Sequence, residues 1–267
     1  MSMSEPNYIE INRRTWNQKT AVHYASDFYN VKEFILGGNS LNSIELDLLR
    51  DLNGKKILHL QCHFGQDSIS LVRLGAKVTG VDLSDIAIEK AHQLAKACGV
   101  DAKFICCDIY DLEKYLDEKF DIVFTSYGTI GWLPDIHKWA KIVSHYLEPN
   151  GKFVFAEFHP VVWMYDDDFT EVRYRYFRDA PIIEIENGTY ADKESNLVEE
   201  FCCWNHGLAE VLQALMNEGL RIDNFQEYDY SPYNCFNKTI QIADKKFQLE
   251  PFGNKIPLVF SLRATKV

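Results

Sequence analysis

The residues of this 267-residue chain whose types and spacing suggest chemistry are acids at the ends of apolar runs and one turn that closes on glycine. Lys56-Ile57-Leu58-His59-Leu60 is a short apolar run, and Gln61-Cys62-His63-Phe64-Gly65 turns the chain. Gln66 to Leu74 then carries Ile69, Val72 and Arg73 at helical spacing, and Lys77-Val78-Thr79-Gly80-Val81-Asp82 is a second β-branched run that stops on an acid. That succession is a β-α-β unit. Ligands of open α/β sheets collect beyond the carboxyl ends of the strands, so a nucleotide-like ligand is expected at the first turn. Asp82 stands where a carboxylate accepts hydrogen bonds from a ribose diol. Ala102 to Cys107 is a third run, ending on Asp108.

These residues need a sheet to hold them, and the pattern supplies one. Ser84 is placed to cap a helix from Asp85 to about Cys98, with Ile86, Ile88, Ala91, Leu94 and Ala95 inward and Gly99 as its stop. Phe120 to Thr125 is too apolar for a strand with one wet face. Pro134 suits a first helical turn, and Ile136, Trp139, Ala140, Val143 and Leu147 continue a helical stripe. Glu148-Pro149-Asn150-Gly151 is a turn, and Lys152 to Phe158 a fifth strand. Strands and helices alternate five times, which calls for a parallel sheet with helices on both faces.

Before the sheet, Asn12 to Asn17 and Ala21 to Tyr24 lie in helical pieces, Gly37-Gly38-Asn39-Ser40 is a break, and Leu41 to Leu52 has helical spacing. After it the texture changes. Arg173 to Arg178 and Ile182 to Ile185 alternate as strands with one wet face and a turn at Asn187-Gly188, which predicts an insertion over the ligand edge. Asn205 to Glu218 returns to a helix, Leu220 to Tyr230 is strand six, and Lys255 to Lys266 pairs antiparallel with it because no helix intervenes. The expected fold is α/β, a doubly wound, seven-stranded, mostly parallel Rossmann-like sheet with an antiparallel last strand and a small β-rich insertion. It reads as a single domain over 1–267: a helical cover (1–54), a cofactor-binding core (55–159), an insertion that covers substrate (160–204), and a C-terminal helix and β-hairpin (205–267).

A net charge of -11 argues against duplex nucleic acid and anionic membrane surfaces as partners, since both select basic protein faces. No apolar run approaches the ~20 residues that span a bilayer, and the polar start Met1 to Asn7 has no signal-peptide core. The seven cysteines include no C-x-x-C pair, so no metal site is read, and they are expected as reduced thiols in a cytoplasmic protein.

The order of parts resembles a class I S-adenosylmethionine (SAM)-dependent methyltransferase of the small-molecule type, firmly over about 55–160. Its first motif commonly runs hydrophobic-hydrophobic-Asp-hydrophobic-Gly-Cys-Gly-x-Gly. Ile57 to Gly65 fits that frame, with Cys62 and Gly65 matching and His59, Gln61 and His63 departing. Gly80-Val81-Asp82-Leu83-Ser84, Cys107-Asp108-Ile109, Phe120 to Phe124 followed by Ser126-Tyr127-Gly128, and Leu147 to Gly151 continue the resemblance in order.

The resemblance implies SAM as cofactor and a small-molecule methyl acceptor as partner, with a homodimer left open. Asp82 is expected on the ribose hydroxyls, Asp108 on the adenine amino group, and Leu83 and Ile109 on the adenine faces. The amides around Gly65 suit the methionine carboxylate, with Gln61 and His63 beside it. Cys62, Ser84, Cys107, Ser126 and Tyr127 are expected on the cofactor as well, and Trp16, His23 and Tyr24 resemble the helical cover that such enzymes lay over it. Where the acceptor must lose a proton, Tyr127, Glu157, His159 and His206 are the candidates, His159 first because imidazole titrates in the right range; His59, inside its strand, is expected as an interior histidine. Trp163, Tyr165, Tyr174, Tyr176, Phe177 and Trp204 offer an aromatic wall or a β-sheet core. A protein of this fold that binds SAM without catalysis is the alternative. A nicotinamide-dependent oxidoreductase is disfavoured, because G-x-G-x-x-G is missing.

Overall fold

The computed structural model describes residues 7–177 and 180–267. Three helices come first: α1 (Tyr8–Ala25), α2 (Val31–Ile35) and α3 (Ser43–Leu48). The last is shorter than the spacing predicts, because Leu49 leaves it in an extended conformation. The core then alternates through β1 (Lys56–Leu60), α4 (Gln66–Arg73), β2 (Lys77–Asp82), α5 (Asp85–Cys98), β3 (Lys103–Cys106), β4 (Phe120–Ser126), α6 (Ile136–Tyr146) and β5 (Leu147–Phe158). It continues with β6 (Ile182–Asn187), β7 (Val198–Cys203), α7 (Leu208–Asn217), β8 (Leu220–Tyr228), β9 (Thr239–Ala243), β10 (Lys246–Leu249) and β11 (Val259–Lys266).

Seven of these strands form one sheet in the order β3-β2-β1-β4-β5-β11-β8. β1 to β5 pair in parallel, and β11 runs antiparallel to both β5 and β8. The expected fold class is therefore the observed one. On one face α6 and α7 bury Trp139, Val143, Val211 and Leu215 against Phe153, Phe155 and Phe260. On the other, Leu71 packs with Ile57 and Phe124, and Ile69 and Leu94 with Phe64 and Phe104. Full burial of side chains this size contributes about 1.5–3 kcal/mol each.

Two departures matter for the site. Residues 170–177 form no strand; Tyr165 and Val172 make one isolated bridge, and only β6 and β7 pair as a hairpin. Arg178, the end of the expected strand, lies outside the described residues. Between β8 and β11 the chain makes its own antiparallel pair, β9 with β10, instead of turning directly back. That excursion brings Tyr233 and Phe236 over the sheet's end.

Candidate functional site

A cavity of about 1110 Å³ opens at the carboxyl ends of the central strands, walled by the 61–67 turn, the ends of β2 and β4, helix α1 and the β6–β7 hairpin. The turn after β1 follows a path suited to glycine. Gln61, His63 and Gly65 all have positive φ, at 55°, 50° and 79°. Only Gly65 is irreplaceable on space, because a Cβ there would meet the Phe104 ring at 2.8 Å. Gly80 is similarly pinned, by the Cys62 sulfur and Phe104. Gln61 and His63 accept a backbone that costs L-residues of order 1–2 kcal/mol each. Side-chain bonds hold them there: Gln61 Nε2 donates to the Thr129 carbonyl at 2.8 Å, and the His63 amide donates to Asp82 Oδ2 at 2.8 Å.

Asp82 is thereby anchored, its other oxygen accepting from the Ser84 amide at 2.9 Å. Burial pushes its carboxyl up from 3.8 to about 6, against the pull of those amides. Asp108 accepts from the Tyr110 amide at 2.9 Å, and burial raises it too. Both acids, with Leu83, Ile109, Cys62 and Ser126, border the cavity. Ser84 and Cys107 do not. The Ser84 hydroxyl caps α5 by accepting from the Ala87 amide and donates to Asn17 Oδ1, so it ties α1 to α5. The Cys107 thiol is buried in the core beneath the sheet's rim.

Helix α1 lies across the opening. Asn12 reads the edge of β7 as another strand would: its Nδ2 donates to the Cys202 carbonyl at 2.8 Å, and its Oδ1 accepts from the Cys202 amide at 2.9 Å. Trp16 reaches into the cavity beside His63 and Trp132. Lys19 is buried among Trp16, Trp132 and Phe201 and paired with Glu186 at 2.5 Å. His23 sits behind this wall, its ring 5.3 Å from that of His63. Burial, with repulsion from His63 and Lys19, lowers His23 to about 2, and burial lowers His63 to about 3, so both are neutral imidazoles. Tyr24 is outside the cavity, packed on Phe64.

The expected proton acceptors separate. His159 does not border the cavity: its Nε2 donates to Glu227 Oε1 at 2.9 Å and its Nδ1 accepts from the Val161 amide. His206 borders it, but its nitrogens are engaged by the Leu133 carbonyl at 2.8 Å and Glu210 at 3.2 Å. Glu157 is a buried clasp, accepting from the amides of Gly128, Thr129, Ile130 and Phe158 and from the Thr129 hydroxyl, which leaves it no free lone pair to take a proton. His59 is interior, 2.8 Å from the Ser68 hydroxyl. Tyr127 remains, at the end of β4 in a left-handed conformation with φ 41°. Its hydroxyl donates to Glu45 Oε2 at 2.8 Å.

The aromatic expectation divides as well. Trp163, Tyr165, Tyr174 and Trp204 border the cavity, whereas Phe177 is exposed and the Tyr176 hydroxyl accepts from the Leu208 amide at the start of α7. Sequence reasoning missed Asn42, Glu45, Lys19, Trp132 and Tyr233. Asn42-Ser43-Ile44-Glu45 reads only as the cap of a helix, no motif surrounds the others, and chain separations as large as that of Asn42 from Tyr233 carry no local signal.

A family model described as a methyltransferase domain matches residues 57–151. An uncharacterized protein of Haemophilus influenzae is 28% identical over 177 residues, 60% of this chain and 69% of its own length. A ubiquinone biosynthesis O-methyltransferase of Coxiella burnetii is 30% identical over 135 residues, 49% of this chain and 57% of that protein, so the chain spans little more than half of it. Among solved structures, a geranyl diphosphate C-methyltransferase of Streptomyces coelicolor superposes with TM-score 0.62 at 14% identity, covering 98% of this chain and 99% of that one. A SAM-dependent methyltransferase of Listeria monocytogenes gives 0.57 at 20% identity, covering 83% and 95%. At these identities the superpositions speak for the fold.

Proposed function

We propose that the chain, which matches a methyltransferase-domain family over residues 57–151, is a class I SAM-dependent methyltransferase that uses SAM to methylate a small-molecule acceptor by in-line displacement. The observation that carries this reading is the Asp82 carboxylate, fixed by two amides at the rim of a large cavity directly beside the glycine-type turn. The residues present fit the cofactor. Among the described residues, Gln61 Oε1 and His63 Nε2 are buried polar atoms with no partner, and an ammonium and carboxylate at that turn would satisfy an acceptor and a donor there. Asp82 would take the ribose hydroxyls and Asp108 the adenine amino group, between Leu83 and Ile109.

SAM supplies an electrophilic methyl on a sulfonium. The chain's part is then alignment and exclusion of water. Trp16, Trp132 and the β6–β7 hairpin close the side opposite the strand ends, and the lining carries more acids than bases. A pyrophosphate would meet the Gln61 and His63 side chains where a dinucleotide needs bare backbone, which disfavours a nicotinamide cofactor. Calorimetry with SAM, S-adenosylhomocysteine and NAD tests the reading: saturable binding of the first two supports it, and a response to NAD alone defeats it. Slow turnover over amines, phenols and carboxylates then separates an enzyme from a SAM-binding protein without catalysis.

A further inference from the structure

We propose that the acceptor is a protic nucleophile, an O–H or N–H group, seated between the hydroxyls of Tyr127 and Tyr233 and deprotonated through Tyr127 onto Glu45. Resting on the methyl-transfer reading, this gives it a substrate class and a proton path.

The geometry points there because the four polar groups form one directional chain. Glu45 is fully buried, and no lysine, arginine or histidine pairs with it among the described residues. Its Oε1 accepts from the Asn42 amide at 2.7 Å and closes the cap of α3. Its Oε2 has no part in the cap and, among the described residues, accepts only from the Tyr127 hydroxyl. Because Tyr127 spends its proton on Glu45, its oxygen lone pairs are what it can offer a ligand. Tyr233 is set the opposite way: its oxygen accepts from Asn42 Nδ2 at 2.8 Å, so its own O–H is left to donate. The two rings meet edge to face at 5.1 Å, and both border the cavity while Glu45 stands behind them. One acceptor and one donor side by side are complementary to a group that both donates and accepts, which a hydroxyl or amine does and a thioether or alkene does not.

The capping role alone does not explain this arrangement. A cap glutamate works at the surface, and burying an uncompensated carboxylate costs several kcal/mol. Tyr127 also holds a left-handed backbone, a strain that persists where surroundings over-determine it and that clusters at functional sites. Burial and the facing Asp67 carboxylate raise Glu45 from 4.5 to about 7, against the bonds from Asn42 and Tyr127. The remaining titratable groups that face it are Tyr127, Tyr228 and Tyr233. A base near neutrality accepts a proton at working pH.

In the step itself the acceptor X–H passes its proton to the Tyr127 oxygen while the tyrosine's proton moves to Glu45 Oε2. The lone pair left on X forms the X–C bond as the methyl's bond to sulfur breaks, the electron pair staying on sulfur. Products are X–CH3, a neutral thioether and a protonated Glu45, which returns its proton to solvent on release. Tyr127 touches the substrate and is the catalytic residue; Glu45 acts through it.

The test uses 4-nitrophenol, whose ionised form absorbs visible light, titrated into the full chain saturated with S-adenosylhomocysteine. Saturable binding is expected, with the bound probe more ionised than the free one at the same pH. Glu45→Gln and Tyr127→Phe should each cut the bound ionised-to-neutral ratio about tenfold or more and move its pH midpoint upward. Their affinity for S-adenosylhomocysteine by calorimetry should stay within a few-fold. If S-adenosylhomocysteine binds but the probe does not, or if the ratio is the same in both variants, the inference falls while the methyltransferase reading stands. Failure of S-adenosylhomocysteine to bind removes that reading instead. Should Glu45→Gln not fold, Tyr127→Phe decides alone.

Discussion

In its proposed role on the cofactor, Asp82 is a carboxylate already fixed in place in the ligand-free protein. Burial raises it and two amides hold it, so its folded value of about 6 lies above its ordinary 3.8. In the ligand-free protein this acid therefore weakens the fold as pH rises between those values, and the loss is complete above about 6. For the proposed ribose contact, ligand binding would run the other way, since ribose hydroxyls need the ionised acceptor. SAM affinity should fall by up to about tenfold per pH unit below that point, measured by calorimetry between pH 7.5 and pH 5. Asp82→Asn should weaken SAM by about 1.5–3 kcal/mol and flatten that pH dependence; an unchanged affinity would move the cofactor elsewhere. The turn beside it makes a second prediction. At His63, φ 50° inverts the usual ranking of small residues, so His63→Gly should be more stable than His63→Ala by about 1 kcal/mol in denaturant titration.

Elements decide which of these residues meet. That Asp82, Asp108, Gly65 and Cys62 border one cavity was legible because they sit at strand ends and turns whose spacing is local, and the frame survives even where Gln61 and His63 stand at positions suited to glycine. His159 was misread for a physical reason: it follows β5, but β11 on one side and β8 beyond it offer Glu227, and the ring turns to that partner instead of the cavity. The Glu45–Tyr127 pair was illegible because an acid at a helix start reads as a cap. That reading is half right, since only one of its oxygens caps α3. The cover was legible as helix but not as attachment. Asn12 completes the edge of β7, and Asn12→Ala would leave the Cys202 amide and carbonyl unpaired, at a cost of about 2 kcal/mol. Amides of α1 and β7 should then exchange with deuterium roughly 30-fold faster while the α6 and α7 core keeps its protection. Equal acceleration throughout would mean that α1 is part of the global fold and not a separable cover.

At the scale of the molecule, the cavity's walls include stretches far apart in sequence, among them the first helix, the turn after β1, the β6–β7 hairpin and the 229–258 excursion. A ligand that touches all of them should add to the stability of the whole. SAM at 100 times its Kd should contribute about 2.7 kcal/mol and raise Tm by several degrees, with no shift from NAD. No described helix is long and apolar enough to cross a membrane, and a chain of net charge -11 offers anionic ligands little general attraction.

The placement of β11 between β5 and β8 also bears on how the chain is made. Among the described residues β8 pairs only with β11, so on the ribosome it is synthesised with no edge to join, and β5 is left with an open one, until residues 229–258 and β11 have emerged. The parallel half of the sheet, β1 to β5, can close well before that moment. Nascent molecules therefore pass through a stage with a bare β5 edge, the kind of surface on which chains stick to one another and chaperones act.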